Sequence, residues 1–299
     1  MRPADTGSIK ALLGAAAAAE VIDLGHELFA GMPVHESHPP FLYTPYHRHG
    51  DWTLEGDYWG TNELMVLTGH TGTHVDALSH IAYRGRFFDG SSALESLDGV
   101  SGFRRLGAET IEPIVGRGIY LDFATLEGRP ILPRDYSIDE RAIRQCLGES
   151  GLEIRTGDSV LIRTGLGGLW ESGSEYLASS GGNPGIDLSA ARYLETFRPA
   201  AVGSDTTVVE VCDAEPETLP VHSFLLAQRG VHLIENLDLE SMPRVPAIEF
   251  LFVCAPVKVR GSSGALVRPL ALIPHGDVSR SCPNPTTRPN HRSAPPDEF

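Results

Sequence analysis

The chain has 299 residues, of which 41% are hydrophobic and 21% are charged, and its formal net charge at pH 7 is −15. An apolar fraction of this size is enough for a buried core and excludes global disorder. The acidic surface repels phosphate backbones and anionic lipids, so neither nucleic acid nor a membrane is expected as a partner. No apolar run approaches the roughly 20 residues of a membrane-spanning helix. The four scattered cysteines form no CxxC pair, which predicts a reduced, cytoplasmic protein.

The N-terminal part predicts one helix and two strands. Residues 11–19 are rich in alanine, the best helix former, and favour a short helix packed on the domain over a cleaved signal peptide. Strands are expected at residues 21–24 and 63–67. Between them, residues 32–52 are rich in Pro, Tyr and His and suit either a substrate-facing loop or an ordinary surface loop.

The middle of the chain alternates strand and helix signals. Residues 118–123 alternate with the period of a strand. Ser137 and Glu140 have the capping-box spacing, so Ser137 is predicted as the N-cap of a helix that continues through residues 142–147. A turn at residues 157–159 leads into an apolar strand at 160–162. Residues 165–185 are rich in Gly and Ser and predict a long surface loop that covers a site.

The C-terminal part completes an α/β pattern. Helices are expected at residues 186–194 and 221–228, and strands at 200–203, 231–234 and 250–259. Because strands and helices mix without a strict βαβ repeat, we predict an α/β fold with a mixed β-sheet and flanking helices. We expect a single domain over residues 1–275 and a disordered, proline-rich tail over residues 276–299.

Residues 69–80 carry the densest chemical signal. The run Gly-His-Thr-Gly-Thr-His-Val-Asp-Ala-Leu-Ser-His contains three imidazoles and one carboxylate, those of His70, His74, Asp76 and His80. Their mutual offsets are all even, so an extended segment directs them to one side, whereas a helix turns Asp76 away. Imidazole and carboxylate are ligands of divalent ions such as Zn²⁺ and Mn²⁺. A pair of histidines is commonly only a surface feature, but four candidate ligands directly after an apolar strand favour a metal site.

The same run resembles the signature H-x-G-T-H-x-D-x-x-x-H of the metal-dependent cyclase hydrolases, a family that includes bacterial kynurenine formamidase and isatin hydrolase. Supporting similarity continues at residues 203–206, 219–222, 234–237 and 249–259, so it covers roughly residues 20–274. The resemblance implies a swivelling β/β/α fold and a homodimer or homotetramer. It also implies that His70, His74 and Asp76 are metal ligands and that His80 is the general acid/base.

By the same resemblance, His222 and Glu235 match a pair that completes a second metal site in formamidases, with Asp76 bridging, while one Mn²⁺ is typical of isatin hydrolase-like members. The implied cofactor is therefore one or two divalent ions, Zn²⁺ or Mn²⁺. The spacing allows the pairing, because seven helical residues rise about 11 Å and four or five extended residues after Gly230 return about 13–16 Å. Alternatively, His222 only lies near a helix start and Glu235 is an exposed strand end.

Two positions depart from the family pattern, and one of them concerns the substrate. Leu78 stands where the family often has proline. Kynurenine formamidases carry a Pro-x-Trp whose indole contacts the substrate, and the matching stretch here ends in His35, which weakens the kynurenine assignment. His35 and Phe29 are the predicted substrate-binding residues.

These observations predict hydrolysis of a C–N bond in a small amide, either an N-formyl arylamine or a cyclic amide. A metal-activated water would attack the carbonyl, with His80 as the base. The same Lewis acid could instead serve a cyclase, a dehydratase or a lactone hydrolase. A non-catalytic metal-binding or ligand-binding protein is a second alternative, which a titratable base beside three ligands disfavours. No G-x-S-x-G surrounds Ser79, so a serine nucleophile has little support.

Overall fold

One large mixed β-sheet organises the chain. A computed structural model describes residues 6–52, 58–177, 182–212 and 218–274. Within these ranges the strands are β1 Ala19–Asp23, β2 Leu42–His47, β3 Asn62–Val66, β4 His74–Asp76, β5 Leu97–Asp98, β6 Gly102–Phe103, β7 Ile114–Asp122, β8 Ser137–Ile138, β9 Ser159–Arg163, β10 Gly185–Ile186, β11 Ala201–Ser204, β12 His232–Glu235, β13 Ala247–Cys254, β14 Gly264–Leu266 and β15 Leu270–Pro274.

The strand order of the large sheet is β1-β15-β13-β7-β9-β11-β12-β4-β14. The four strands β7, β9, β11 and β12 run parallel to one another. Antiparallel strands extend the sheet on both sides, with β13 next to β7 and β4 next to β12. The strand pairs β2–β3, β5–β6 and β8–β10 form small separate sheets. The prediction of an α/β fold with a mixed sheet is confirmed.

Helices cover one face of the parallel strands. The described helices are α1 Thr6–Ala17, α2 Ala93–Ser96, α3 Phe123–Leu126, α4 Glu140–Ser150, α5 Gly173–Tyr176, α6 Leu188–Glu195 and α7 Pro220–His222, which continues as a π-helical turn over Ser223–Arg229. Strand β9 shows how the sheet separates two cores: Val160 and Ile162 pack with the helices, and Leu161 faces the other apolar cluster. Burial on both faces explains why this strand is a continuous apolar run. No helix in the described ranges is long and apolar enough to cross a bilayer.

Two helices begin at an Asp N-cap, and the first of these caps differs from the predicted residue. The N-cap of α4 is Asp139, whose carboxylate accepts the backbone N–H of Ala142 at 2.7 Å, and not Ser137. Ser137 is unavailable because it lies in β8, paired with β10. In the same way α6 begins after Asp187, which accepts the N–H of Ala190. Asp and Ser are both good N-caps, so strand pairing decides between them.

The predicted surface loop at residues 165–185 is wrong over most of its described length. A 3₁₀-helix spans Leu166–Ser172 and is followed by α5. Trp170 and Tyr176 are buried in a third apolar cluster with Met32 and Phe41. The two aromatic residues, rather than the glycines around them, determine where this segment lies. Residues 178–181 lie outside the described residues.

The N-terminal helix forms, but it does not pack on the domain as predicted. In α1 the side chains from residue 9 onwards are exposed, with Leu12 and Leu13 exposed by 63% and 64%. Alanine propensity therefore accounts for this helix without burial. The predicted tail over residues 276–299 lies outside the described residues and stays a prediction.

Candidate metal centre

Strand β4 places the signature residues between two neighbouring strands. The antiparallel register sets His74 opposite Glu235 of β12 and opposite Leu266 of β14. Residues 70–73 turn into β4, and the chain turns again at residues 78–79. The signature is thus extended only over β4 and turns on both sides of it, and the register of β4 against β12 brings β12 to the signature.

His70, His74 and Asp76 form one group of candidate ligands. His70 Nδ1 lies 3.0 Å and His74 Nε2 lies 3.6 Å from Asp76 Oδ1. The opposite nitrogen of each ring is also engaged: His74 Nδ1–H donates to the Gly72 carbonyl at 2.8 Å, and His70 Nε2 lies 2.9 Å from Ser263 Oγ. These contacts fix the ring orientations, as protein contacts to ligand histidines generally do.

Asp76, His222 and Glu235 form a second group, which shares the carboxylate of Asp76 with the first. His222 Nε2 lies 3.0 Å from Glu235 Oε1 and 3.7 Å from Asp76 Oδ2. Glu235 Oε2 lies 3.4 Å from His74 Nε2, which joins the two groups. The structure therefore brings together all five residues that the sequence analysis predicts as metal ligands.

The carboxylate of Asp76 belongs to both groups, and its hydrogen bonding is unusual. Its side chain is fully buried, and among the described residues neither oxygen has a hydrogen-bond partner by strict geometry, although His70 Nδ1 lies 3.0 Å from Oδ1. Burial raises the pKa of Asp76, but the imidazoles of His80, His70 and His74 outweigh it and hold the pKa well below its ordinary range. A buried, ionised and unbonded carboxylate is costly without a positive partner. The surrounding nitrogen and oxygen donors suit a divalent cation.

Glu210 orients His222, and the sequence analysis missed it. Its buried Oε1 accepts the His222 Nδ1–H at 2.5 Å and the His222 backbone N–H at 2.9 Å, and its Oε2 accepts the Val221 N–H at 2.9 Å. Burial lowers the pKa of His222, but Glu235 and Glu210 together raise it well above its ordinary value. The available signal was a single carboxylate between Val209 and Val211, where an apolar residue is expected in a buried segment.

Two further residues hold the backbone around the centre. His232 donates from Nδ1–H to the carbonyl of Asp76 at 2.8 Å. Asn236, in the left-handed conformation with φ of 53°, donates from Nδ2 to the Gly72 carbonyl at 3.0 Å. Its Oδ1 accepts the hydroxyl of Tyr176 at 2.7 Å. Tyr176 belongs to the segment that is predicted as a surface loop, so this segment supports the site.

His80 lies beside the first group rather than within it. Its ring centroid is 4.2 Å from that of His70. Burial lowers the pKa of His80 to about 4; Asp76 opposes this shift, and His70 and His222 add to it. His80 is therefore a neutral imidazole at neutral pH, which is the form that accepts a proton.

His38, rather than His35, borders the metal group. The half-buried ring of His38 stacks on His70 with a centroid distance of 5.4 Å. His35 is exposed, with its ring 5.9 Å from that of His38 and its Nδ1 2.8 Å from Ser37 Oγ. Phe29 is partly buried and packs against the third apolar cluster. The structure thus places His35 and Phe29 around the segment that carries His38, and not at the candidate ligands.

Comparison with known proteins identifies the family. The family model described as "Putative cyclase" matches residues 22–211, which is more than half of the chain and includes residues 70–80. Cyclase-like protein 3 from rice, Oryza sativa subsp. japonica, is 26% identical over 83% of this chain and 78% of its own length. Isatin hydrolase from Roseibium aggregatum is 27% identical over 85% of this chain and 92% of its own length.

Solved structures share the fold. A crystal structure described as a novel cyclase superposes with a TM-score of 0.76 at 22% identity, covering 90% of this chain and 91% of its own. Isatin hydrolase A from Ralstonia solanacearum gives a TM-score of 0.68 at 20% identity, covering 91% and 99%. The family match ends before His222 and Glu235, so their place at the site rests on the geometry. The signature, the fold and the match over residues 22–211 together establish that this chain belongs to the cyclase family.

Proposed function

We propose that the protein is a metal-dependent hydrolase that cleaves a C–N bond in a small amide, either an N-formyl arylamine or a cyclic amide. The observation that carries the proposal is the buried carboxylate of Asp76, which faces two groups of candidate ligands and accepts no hydrogen bond in the described part of the chain. The relative named isatin hydrolase supports the choice of bond, because isatin is a cyclic amide.

The five candidate ligands would hold one or two divalent ions, Zn²⁺ or Mn²⁺. His70, His74 and Asp76 would hold the first ion, and Asp76, His222 and Glu235 would hold the second. When bound, such an ion supplies Lewis-acid chemistry, polarising a carbonyl oxygen and lowering the pKa of a water molecule. Three protein ligands for an ion leave coordination positions open to a substrate, as catalytic sites require.

His80 would move the proton in this reaction. Its ring lies next to that of His70, and its lowered pKa keeps it unprotonated at neutral pH, so its free nitrogen can accept a proton. It would accept a proton from the attacking water and return it to the leaving nitrogen. An amine leaves more readily when it is protonated, so one imidazole would serve both halves of the hydrolysis.

The segment around residues 29–38 would form the substrate side of the site. His38 stacks on His70 and is the contact between this segment and the candidate ligands. We assign His35 and Phe29, which lie in the same segment, to the outer part of the substrate pocket. Aromatic and imidazole rings suit a planar, aromatic amide.

The test compares Asp76→Asn with the wild type for metal content and for hydrolysis of an N-formyl arylamine, a cyclic amide and a lactone. Asn is nearly isosteric but uncharged, so we expect the variant to lose metal and amide hydrolysis together. Asp135→Asn, at an exposed turn position, is the matched control and should keep both. Amide hydrolysis by a metal-free Asp76→Asn protein would overturn the proposal. If the wild type opens only the lactone, the substrate class is an ester and not an amide.

A further inference from the structure

A surface cavity lined by arginines lies in the segment that follows the signature residues. Its volume is about 600 Å³, which is within the roughly 300–1,000 Å³ of small-ligand sites. The lining contains one acidic residue, Glu95, and four arginines: Arg84, Arg86, Arg104 and Arg105. These five residues give the lining a net charge of +3, on a chain whose net charge is −15. Positive charge concentrated in a concave surface attracts anions. We call this feature the arginine cavity.

Two of the arginines are held in place by carboxylates that do not line the cavity. Arg105 donates from Nε and Nη2 to Asp89 Oδ2, at 3.0 and 2.7 Å. Arg104 donates from Nη2 to Asp98 Oδ2 at 3.0 Å. Because a guanidinium group has five N–H donors, both arginines keep further donors for a ligand. The two ion pairs therefore orient these side chains without using up their hydrogen-bonding capacity.

The other two arginines have no carboxylate partner in the described part of the chain. Arg86 donates from Nη1 to the carbonyl of Gly90 at 2.8 Å. The guanidinium of Arg84 lies 5.2 Å from the centre of the Tyr83 ring. Neither contact neutralises the positive charge. Guanidinium groups bind carboxylate and phosphate oxygens through paired hydrogen bonds, so two of them in one cavity match a ligand with two negative charges.

The backbone at Arg84 is unfavourable for a residue that has a side chain. Residues 83–86 form a tight turn, closed by the hydrogen bonds of Tyr83 N–H to Arg86 O at 2.9 Å and of Arg86 N–H to Tyr83 O at 3.1 Å. The two central residues, Arg84 and Gly85, have φ of 51° and 74°. Such turns favour Asn-Gly, Asp-Gly or Gly-Gly, because a Cβ is destabilising in the left-handed region. An arginine at this position lowers the stability of the turn, and a binding role of its guanidinium explains its presence.

We propose that the arginine cavity binds a small dianion, a phosphate monoester or a dicarboxylate, at a site separate from the metal centre. None of the lining residues is a candidate metal ligand. The hydroxyl of Ser92, which accepts the Glu95 N–H at 3.4 Å, also lines the cavity and adds an O–H donor. A small ligand fits better than a nucleic acid or an anionic membrane, because an extended polyanion would also meet the acidic remainder of the surface. The proposal is independent of the proposed function, since it rests on the arginines and not on the metal centre.

The test titrates the protein with inorganic phosphate and with succinate in a calorimeter, at low ionic strength and at about pH 8, where both are dianions. Arg84→Gly is the main variant. Glycine is favoured at a left-handed position, so this variant should be at least as stable as the wild type and should bind the dianion about tenfold or more weakly. Arg86→Gln should weaken binding by a similar factor. The matched control is Arg198→Gly, because Arg198 is also exposed and left-handed, with φ of 48°, but lies outside the cavity. The control should keep the wild-type affinity. Tighter binding of phosphate assigns the site to phosphate monoesters, and tighter binding of succinate assigns it to dicarboxylates.

Asp76→Asn separates binding in the arginine cavity from binding at the metal centre. This variant lacks the carboxylate that both groups of candidate ligands share, and it should bind the two anions as the wild type does. Circular dichroism and denaturant unfolding check that each variant is folded. If neither anion binds saturably up to about 10 mM, the proposal is wrong. Wild-type affinity in the folded Arg84→Gly and Arg86→Gln proteins, or loss of binding in folded Asp76→Asn, would also overturn it.

Discussion

Replacing Glu210 with alanine removes the carboxylate that holds His222 in place. Glu210 accepts the Nδ1–H and backbone N–H of His222 and the N–H of Val221. Among the described residues, Glu210 is the hydrogen-bond partner of His222 Nδ1. Without this carboxylate, the His222 ring is no longer held with its Nε2 directed at Asp76 and Glu235. We therefore expect a specific loss of affinity for the ion that Asp76, His222 and Glu235 would hold.

The size of the effect follows from these three hydrogen bonds. Partners that orient a ligand histidine typically contribute 10–100-fold to metal affinity, or about 1.4–2.8 kcal/mol. Hydrogen bonds to a charged group contribute about 1.5–3 kcal/mol each, so the free energy of unfolding should fall by several kcal/mol as well. Glu210→Gln keeps one oxygen as an acceptor and should lie between the wild type and the alanine variant in both quantities.

Titration calorimetry of the metal-free proteins with Zn²⁺ and Mn²⁺ measures the affinity, and denaturant unfolding measures the stability. Glu153→Ala is the control, because the Glu153 side chain is 76% exposed and should change neither quantity. A folded Glu210→Ala protein that binds the same number of ions with the wild-type dissociation constant would refute the role assigned to Glu210.

The histidines of the site carry three more predictions. His80→Ala should lower kcat by about 10²–10⁴-fold with its metal content unchanged, and an unchanged kcat removes His80 from the reaction. In the metal-free protein the pKa values of His222 and His74 are raised, so both rings must lose protons to bind an ion. Metal affinity should therefore rise with pH and binding should release protons, as calorimetry in buffers of different ionisation enthalpy measures; a pH-independent affinity contradicts this. His38→Ala should raise KM without changing metal affinity, whereas His49→Ala, at an exposed position, should leave KM unchanged.

The proximity of the first group of candidate ligands can be predicted from the sequence because that group is local. His70, His74 and Asp76 lie within seven residues, so one turn and one short strand are enough to bring them together. His222 and Glu235 depend on strand pairing across the chain, since the register of β12 against β4 sets Glu235 opposite His74. Periodicity and spacing do not determine such a register, and the resemblance to the family supplied this pair.

The sequence analysis is wrong or incomplete at three places, and in each of them the cause is a tertiary contact. Ser137 has good capping chemistry, but its pairing in β8 leaves the cap to Asp139. Residues 165–185 have the composition of a loop, but Trp170 and Tyr176 anchor them in a core. Glu210 was missed because its role depends on its contact with the imidazole of His222, and the neighbouring valines do not indicate that contact.

Asp76 is shared by the two groups of candidate ligands, and the proposed function requires a metal ion next to its carboxylate. Anomalous difference maps from crystals soaked with Zn²⁺ or Mn²⁺, recorded on both sides of the absorption edge of the metal, test it most directly. We predict anomalous density in contact with the carboxylate of Asp76, bordered by His70 and His74 on one side and by His222 and Glu235 on the other. Well-ordered side chains with no anomalous density next to either oxygen of Asp76 would contradict the account.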